Sequence, residues 1–157
     1  MENLPLDIKS YLSFIIGCER FAINAKNINS IIEMVPITKV PRMPEAMLGI
    51  ISLREKVVPI LDVRLLFGLE ISPVTSSSCI IVVEKESNGV VMPLGLLVDS
   101  VSEVVEIEKE SILPTPEIGS KFRNETIDGV FQSGGEFIML LNLSELIEGI
   151  DLIDYNS

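Results

Sequence analysis

Twenty-three carboxylates, twelve basic side chains, two cysteines and no histidine set the chemistry this 157-residue chain can attempt. Without an imidazole it cannot run a histidine triad, complete a zincin-type metal site or carry a phosphorylated histidine. A serine nucleophile would then need a lysine base. Yet Lys9, Lys26, Lys39, Lys56, Lys85, Lys109 and Lys121 lie among polar or turn residues, where the burial that makes a base of an ammonium is not expected. Glu106 and Glu108 have a suggestive spacing, but on a strand both project to one solvated face. "SGGE", Ser133 to Glu136, lacks the glycine spacing and following lysine of a phosphate loop, and reads as a hairpin turn. Cys18 and Cys79 belong to no CxxC pair and read as two reduced core thiols. No catalytic residue, metal or cofactor is expected.

What remains is binding, and the most pointed candidate is Arg54. It lies in "LREK", between the apolar runs "LGIIS" and "VVPILDV", the pattern of two strands and a turn. A guanidinium at a turn either stays solvated or forks onto a partner carboxylate, and residue chemistry leaves both open.

The surrounding elements read as short strands. "YLSFIIG" and "FAINA" form a hairpin across "CERF", and "KNINSIIE" is extended from Ile28. "MPEAML", Met43 to Leu48, has Pro44 placed to open one or two helical turns. Asp62 is placed to cap a short helix "VRLLFG" ending at Gly68. "CIIVVEKE" and "VVMPLGLLV" form a second hairpin, Val101 to Ile107 is extended, "IGSKFRNETIDG" is a loop, "VFQSGGEFIMLLNL" is a third hairpin, and "SELIE" closes in a helical turn or two.

An internal repeat organises these pieces. At an offset of 80, "GIISLREKVVPILDVRLL" from Gly49 faces "GVFQSGGEFIMLLNLSEL" from Gly129, with Asp62 opposite Asn142. At an offset of 73, "FAINAKNINSIIE" from Phe21 faces "LGLLVDSVSEVVE" from Leu94. The expectation is one domain of two β subdomains, residues 1–69 and 78–149, joined by 70–77 and followed by a tail, 150–157. Each is read as a small closed barrel of about five strands.

With 47% apolar and 22% charged residues the chain has ample material for a core. Its net charge of −11 repels polyanions, so neither nucleic acid nor direct membrane contact is expected. The N-terminus carries an acid where a signal peptide would be basic, and no apolar run approaches a membrane span. A cytoplasmic location is expected.

The run "GIISLREKVVPILDVRLLFG", with "FAINAKNINSIIEMVPITKVP", "LGLLVDSVSEVV" and "IDGVFQSGGEFIMLLNLSELI", resembles CheW-type chemotaxis coupling proteins over Tyr11 to Gly149. The resemblance implies an all-β fold of two intertwined five-stranded SH3-like β barrels with short helical connections. It implies a non-enzymatic adaptor between the cytoplasmic tip of methyl-accepting receptors and the regulatory domain of a CheA-type histidine kinase, with homologous CheW-like domains as further partners. Arg54 falls on the family's Arg of Asn-Leu-Arg-Gly. Ala25 and Ile28 fall on apolar positions beside a receptor groove, with Leu96 and Val98 opposite. Ser30 stands where many members carry Glu, Ser52 replaces Asn, and Glu55 replaces the glycine, which is expected to reshape the turn. The competing class is a self-assembling or small-molecule-binding β domain without a kinase partner.

Overall fold

The computed structural model describes residues 7–42, 46–67, 69, 73–87, 89–114 and 126–148. Ten strands make up most of it: β1 (Ile8–Ile16), β2 (Glu19–Asn24), β3 (Ile28–Glu33), β4 (Met47–Leu53), β5 (Lys56–Asp62), β6 (Cys79–Ser87), β7 (Val90–Val98), β8 (Ser100–Glu108), β9 (Ile127–Ser133) and β10 (Glu136–Leu141). Two short helices follow β5 and β10, α1 (Val63–Leu66) and α2 (Leu143–Glu148), and single 3-10 turns cover Ala25–Asn27 and Lys109–Ser111. The hairpins and both terminal helices fall where the sequence puts them. The helix expected over Met43 to Leu48 does not form where it is described: Ala46 is in a turn, and Met47 and Leu48 start β4. Residues 43–45, Gly68 and most of the "IGSKFRNETIDG" segment lie outside the described residues.

The strands form two five-stranded sheets, β8-β1-β2-β10-β9 and β3-β6-β7-β5-β4. Each is mixed, with one parallel contact, β2 with β10 and β5 with β7. Each also draws strands from both halves of the chain. The two orders are one pattern. Replacing β8, β1, β2, β10 and β9 by β3, β6, β7, β5 and β4 converts the first sheet into the second. The repeat offsets set this equivalence: Ala22 pairs with Leu140 and Gly95 with Ile60, which are the same contact at offsets of 73 and 80.

The two closed barrels expected from the sequence are not present. Neither sheet closes: β8 and β9 end one, β3 and β4 the other, and among the described residues only isolated bridges span the gaps. Thr38 exchanges backbone hydrogen bonds with Ile50 (2.9 and 2.8 Å), and Leu113 does the same with Val130 (2.8 and 2.9 Å). A proline limits the first bridge: Pro36 stands two residues before Thr38, at the next position that would donate to β4, and a proline has no N–H to give. The matched glycines sit under the bridges: a Cβ at Gly49 would meet Ile37 Cγ2 at 2.7 Å and one at Gly129 would meet the Leu113 carbonyl oxygen at 2.8 Å. The repeated glycine is therefore a close-approach requirement.

A large shared core lies where elements of both sheets meet, containing Leu12, Phe14, Ile16, Phe21, Ile81, Val83, Leu94, Leu96 and Val98 with residues of both helices. Phe14, Phe21 and Phe67 stack in series, with centroids 6.0 and 5.2 Å apart. Smaller clusters form around Ile60, Ile80 and Val82, and around Ala22, Ile107 and Ile138. Runs such as Ile80 to Val83 are apolar without alternation because both of their faces are buried. Cys79 is half-buried, but Cys18 is exposed in the β1–β2 turn, so it is not the core thiol expected; neither is in a disulfide.

Candidate functional site

The candidate site is a groove bounded by α2, the turn after β2, the start of β3 and the tips of the β4–β5 and β6–β7 hairpins. It consists of three adjoining depressions that share Glu84. The largest, about 540 Å³, is lined by Asn27, Glu84, Lys85 and Glu86 on one side and Leu143, Ser144 and Ile147 of α2 on the other. The second, about 380 Å³, adds Lys26, Ile28, Asn29 and Val91. The third, about 120 Å³, runs from Asn29 to Leu53, Arg54 and Lys56.

Local sequence sets these positions. The Asn24 side-chain oxygen accepts from the Lys26 amide at 3.0 Å, which tightens the chain into the turn holding Ala25 and Asn27. β3 then pairs with β6 through a register shift between Ile28 and Ser30. Asn29, in that shift, donates from Nδ2 to Glu84 Oε1 at 2.9 Å and steers the carboxylate. On the other wall, the Asn142 side-chain oxygen accepts from the Glu145 amide at 3.1 Å and starts α2.

The residues singled out in the sequence divide into three groups. Ile28 and Arg54 line the groove, and Ala25 stands in the turn beside it. Ser30 is half-buried opposite Val82, and Glu55 is exposed at the hairpin tip; neither lines a depression. Leu96 and Val98 are 0% and 1% exposed in the shared core, and Ile28 packs against that same cluster. They present no surface to a partner. Composition around "VVEKES" was the missed signal: an apolar strand that breaks into Glu84, Lys85 and Glu86 marks the point where β6 leaves the core.

The Arg54 turn keeps the geometry a glycine would favour although it carries Glu55. Arg54 and Glu55 have φ of 51° and 65°, and their repeat mates Gly134 and Gly135 have 57° and 84°. Two consecutive positive φ values are those of the tight primed hairpin turn. The left-handed conformation costs a side-chain-bearing residue about 1 kcal/mol, so this tip is strained where its twin is relaxed.

A second polar cluster lies inside the fold. Asp62 caps α1 by accepting from the Arg64 amide at 2.9 Å, and its carboxylate takes a forked pair from Arg64 Nε and Nη2, both 2.9 Å. The side chains are 1% and 4% exposed. Arg64 Nη1 reaches Asp99 Oδ1 at 3.4 Å, and Asp99 Oδ2 accepts from the Gly17 amide at 2.6 Å. The hydrogen bond to Asp62 holds the guanidinium pKa above its ordinary value despite burial. Among the described residues no three His, Cys, Asp or Glu side chains are placed to hold a metal ion, and no helix is long and apolar enough to cross a membrane.

Comparison with known proteins agrees with this architecture. The model of the CheW-like domain family matches residues 10–151. The chain is 33% identical over 146 residues to the probable chemotaxis protein CheW of Rhizobium etli, covering 93% of this chain and 92% of that one. It is 29% identical over 152 residues to the chemotaxis protein CheW of Thermotoga maritima, covering 96% of each. Among solved structures, the scaffolding protein TtCheW from Thermoanaerobacter tengcongensis superposes with a TM-score of 0.79 at 29% identity, covering 94% of this chain and 92% of that one.

Proposed function

The chain belongs to the CheW-like domain family, a family of non-enzymatic chemotaxis adaptors, and on that premise we propose that it couples methyl-accepting receptors to a CheA-type histidine kinase. In this reading the cytoplasmic receptor tip docks in the groove and the kinase regulatory domain binds beside it. Homologous CheW-like domains are further neighbours, and the location is the cytoplasm at receptor arrays.

The observation that carries the reading is the groove itself. It is an open channel with a mixed lining that joins α2 from one half of the chain to β3 and the β4–β5 tip from the other. Such a channel suits a helical segment laid along it, with apolar contact from Ile28, Leu143 and Ile147 and orientation from rim charges. Arg54 is the rim residue best placed to fork onto a partner carboxylate, and the strain at its turn is the kind retained where a side chain must be presented. Ala25 and Ile28 shape the adjoining wall, Ser30 and Glu55 flank it, and Leu96 and Val98 lie in the shared core.

Arg54→Glu tests the assignment. Capture of receptor tips or of the kinase regulatory domain from the same cell is expected to weaken while circular dichroism stays unchanged. Unchanged capture would remove Arg54 from the interface.

A further inference from the structure

The buried Arg64 cluster has a counterpart in the other half of the molecule. At the offset of 80, Asp62 corresponds to Asn142 and Arg64 to Ser144; at 73, Asp99 corresponds to Lys26. The matched pairs Ser13–Ala22 and Val82–Gly95 fix an offset of 69 between β1 and β6, so Gly17 corresponds to Glu86. The backbone repeats as well: the Asp62 amide donates to the Ala46 carbonyl at 2.9 Å, and the Asn142 amide donates to the Thr126 carbonyl at 2.8 Å. On the Asp62 side, a guanidinium fills the space between helix, strand turn and carboxylates. On the Asn142 side the same position carries Ser144, exposed, and beside it opens the 540 Å³ depression of the groove.

We infer that this depression takes an arginine side chain from the docked partner, in the space that the Arg64 side chain fills in the other repeat; its acids are Glu84 and Glu86, since Asn142 and Lys26 stand where Arg64 has Asp62 and Asp99. The inference rests on the docking reading above and names the partner chemistry for that same groove. The donors of a guanidinium would face Glu84, already steered by Asn29, and Glu86, while the stem lies on Leu143 and Ile147. A planar fork suits this mixed wall better than an ammonium does, because Lys26 and Lys85 stand nearby and a compact, strongly hydrated charge would stay in water. The long-range field agrees, since the net charge of −11 favours a cationic visitor.

The test uses N-acetyl-argininamide as probe, titrated into the isotope-labelled full chain and followed by amide chemical shifts. Saturable shifts centred on Asn27, Glu84, Glu86 and Ser144 are expected, with a Kd on the order of 1 mM. The lysine analogue should bind several-fold more weakly, and the norleucine analogue should leave these amides unmoved. Glu84→Gln should weaken binding about tenfold. The variant Ser144→Arg, at an exposed position, should fold, fill the depression from within and abolish the shifts. Equal shifts with norleucine, shifts persisting in the self-filled variant, or no saturable shifts to about 10 mM would each overturn the inference. Receptor-tip capture separates the two readings. Capture by the wild type and equally by the self-filled variant overturns the arginine subsite and leaves docking standing, whereas no capture by the wild type overturns the docking reading on which it rests.

Discussion

The Asp62–Arg64 pair makes a sharp energetic prediction because it is buried and joined by a forked contact. Arg64→Ser removes three donors from two carboxylates and leaves Asp62, 1% exposed, with the residue 64 amide as the remaining partner from this cluster. Breaking a buried pair from one side costs about 3–5 kcal/mol, most of it the burial of an uncompensated charge. Asp99 loses less, since it is 25% exposed and still accepts from Gly17. Adding Asp62→Asn keeps the cap oxygen and removes the orphan charge, although Asn142 donates to Asp128 at 3.0 Å and the matching position beside residue 62 is Leu48. The double variant should therefore lie only about 1–2 kcal/mol below the parent and about 2–3 kcal/mol above the single variant. Urea unfolding followed by circular dichroism reads this directly. With a slope of about 2 kcal/mol per molar, the single variant should lose about 2 M in midpoint and the double less than about 1 M. A single variant within about 1 kcal/mol of the parent, or a double variant no more stable than the single, would refute the assignment of the cost to the stranded carboxylate.

Three further outcomes follow from other sites. Glu55→Gly, at φ 65°, should raise stability by about 0.5–1 kcal/mol in the same assay, because it relieves left-handed strain without removing a buried contact. Burial pushes the Cys79 thiol above its ordinary 9.0, and the Val101 backbone hydrogen bond offsets only part of that. The folded chain then holds this proton more tightly than the unfolded one, so the contribution to stability is complete below pH 9.0 and is lost as pH rises through the folded value. Cys79→Ala should flatten that alkaline decline, and iodoacetamide should label the exposed Cys18 at least about tenfold faster than Cys79.

Much of the fold was legible because its signals are local. The Asp62 cap, the hairpin tips and the aligned glycines depend on residues a few positions apart, and the repeat at offsets of 73 and 80 anticipated equivalences that the two sheet orders reproduce. Barrel closure was not legible in this way. It depends on whether β3 can reach β4 and β8 can reach β9; among the described residues each approach is a single bridge, and Pro36 limits the one at Thr38. The candidate site divides along the same line. Arg54 and Ile28 were found from their segment, whereas Glu84, Ser144 and Ile147 come together only because β6 and α2 meet across the molecule.

By itself the sequence determined the strands, the caps, the twofold repeat and the absence of an imidazole, since each follows from residue type and short-range backbone geometry. Tertiary structure decided which strands share a sheet, that Leu96 and Val98 are core and not surface, and that one repeat holds a guanidinium where the other opens a cavity. Those outcomes turn on pairing and burial between distant segments. A residue's type does not specify which distant neighbour covers it.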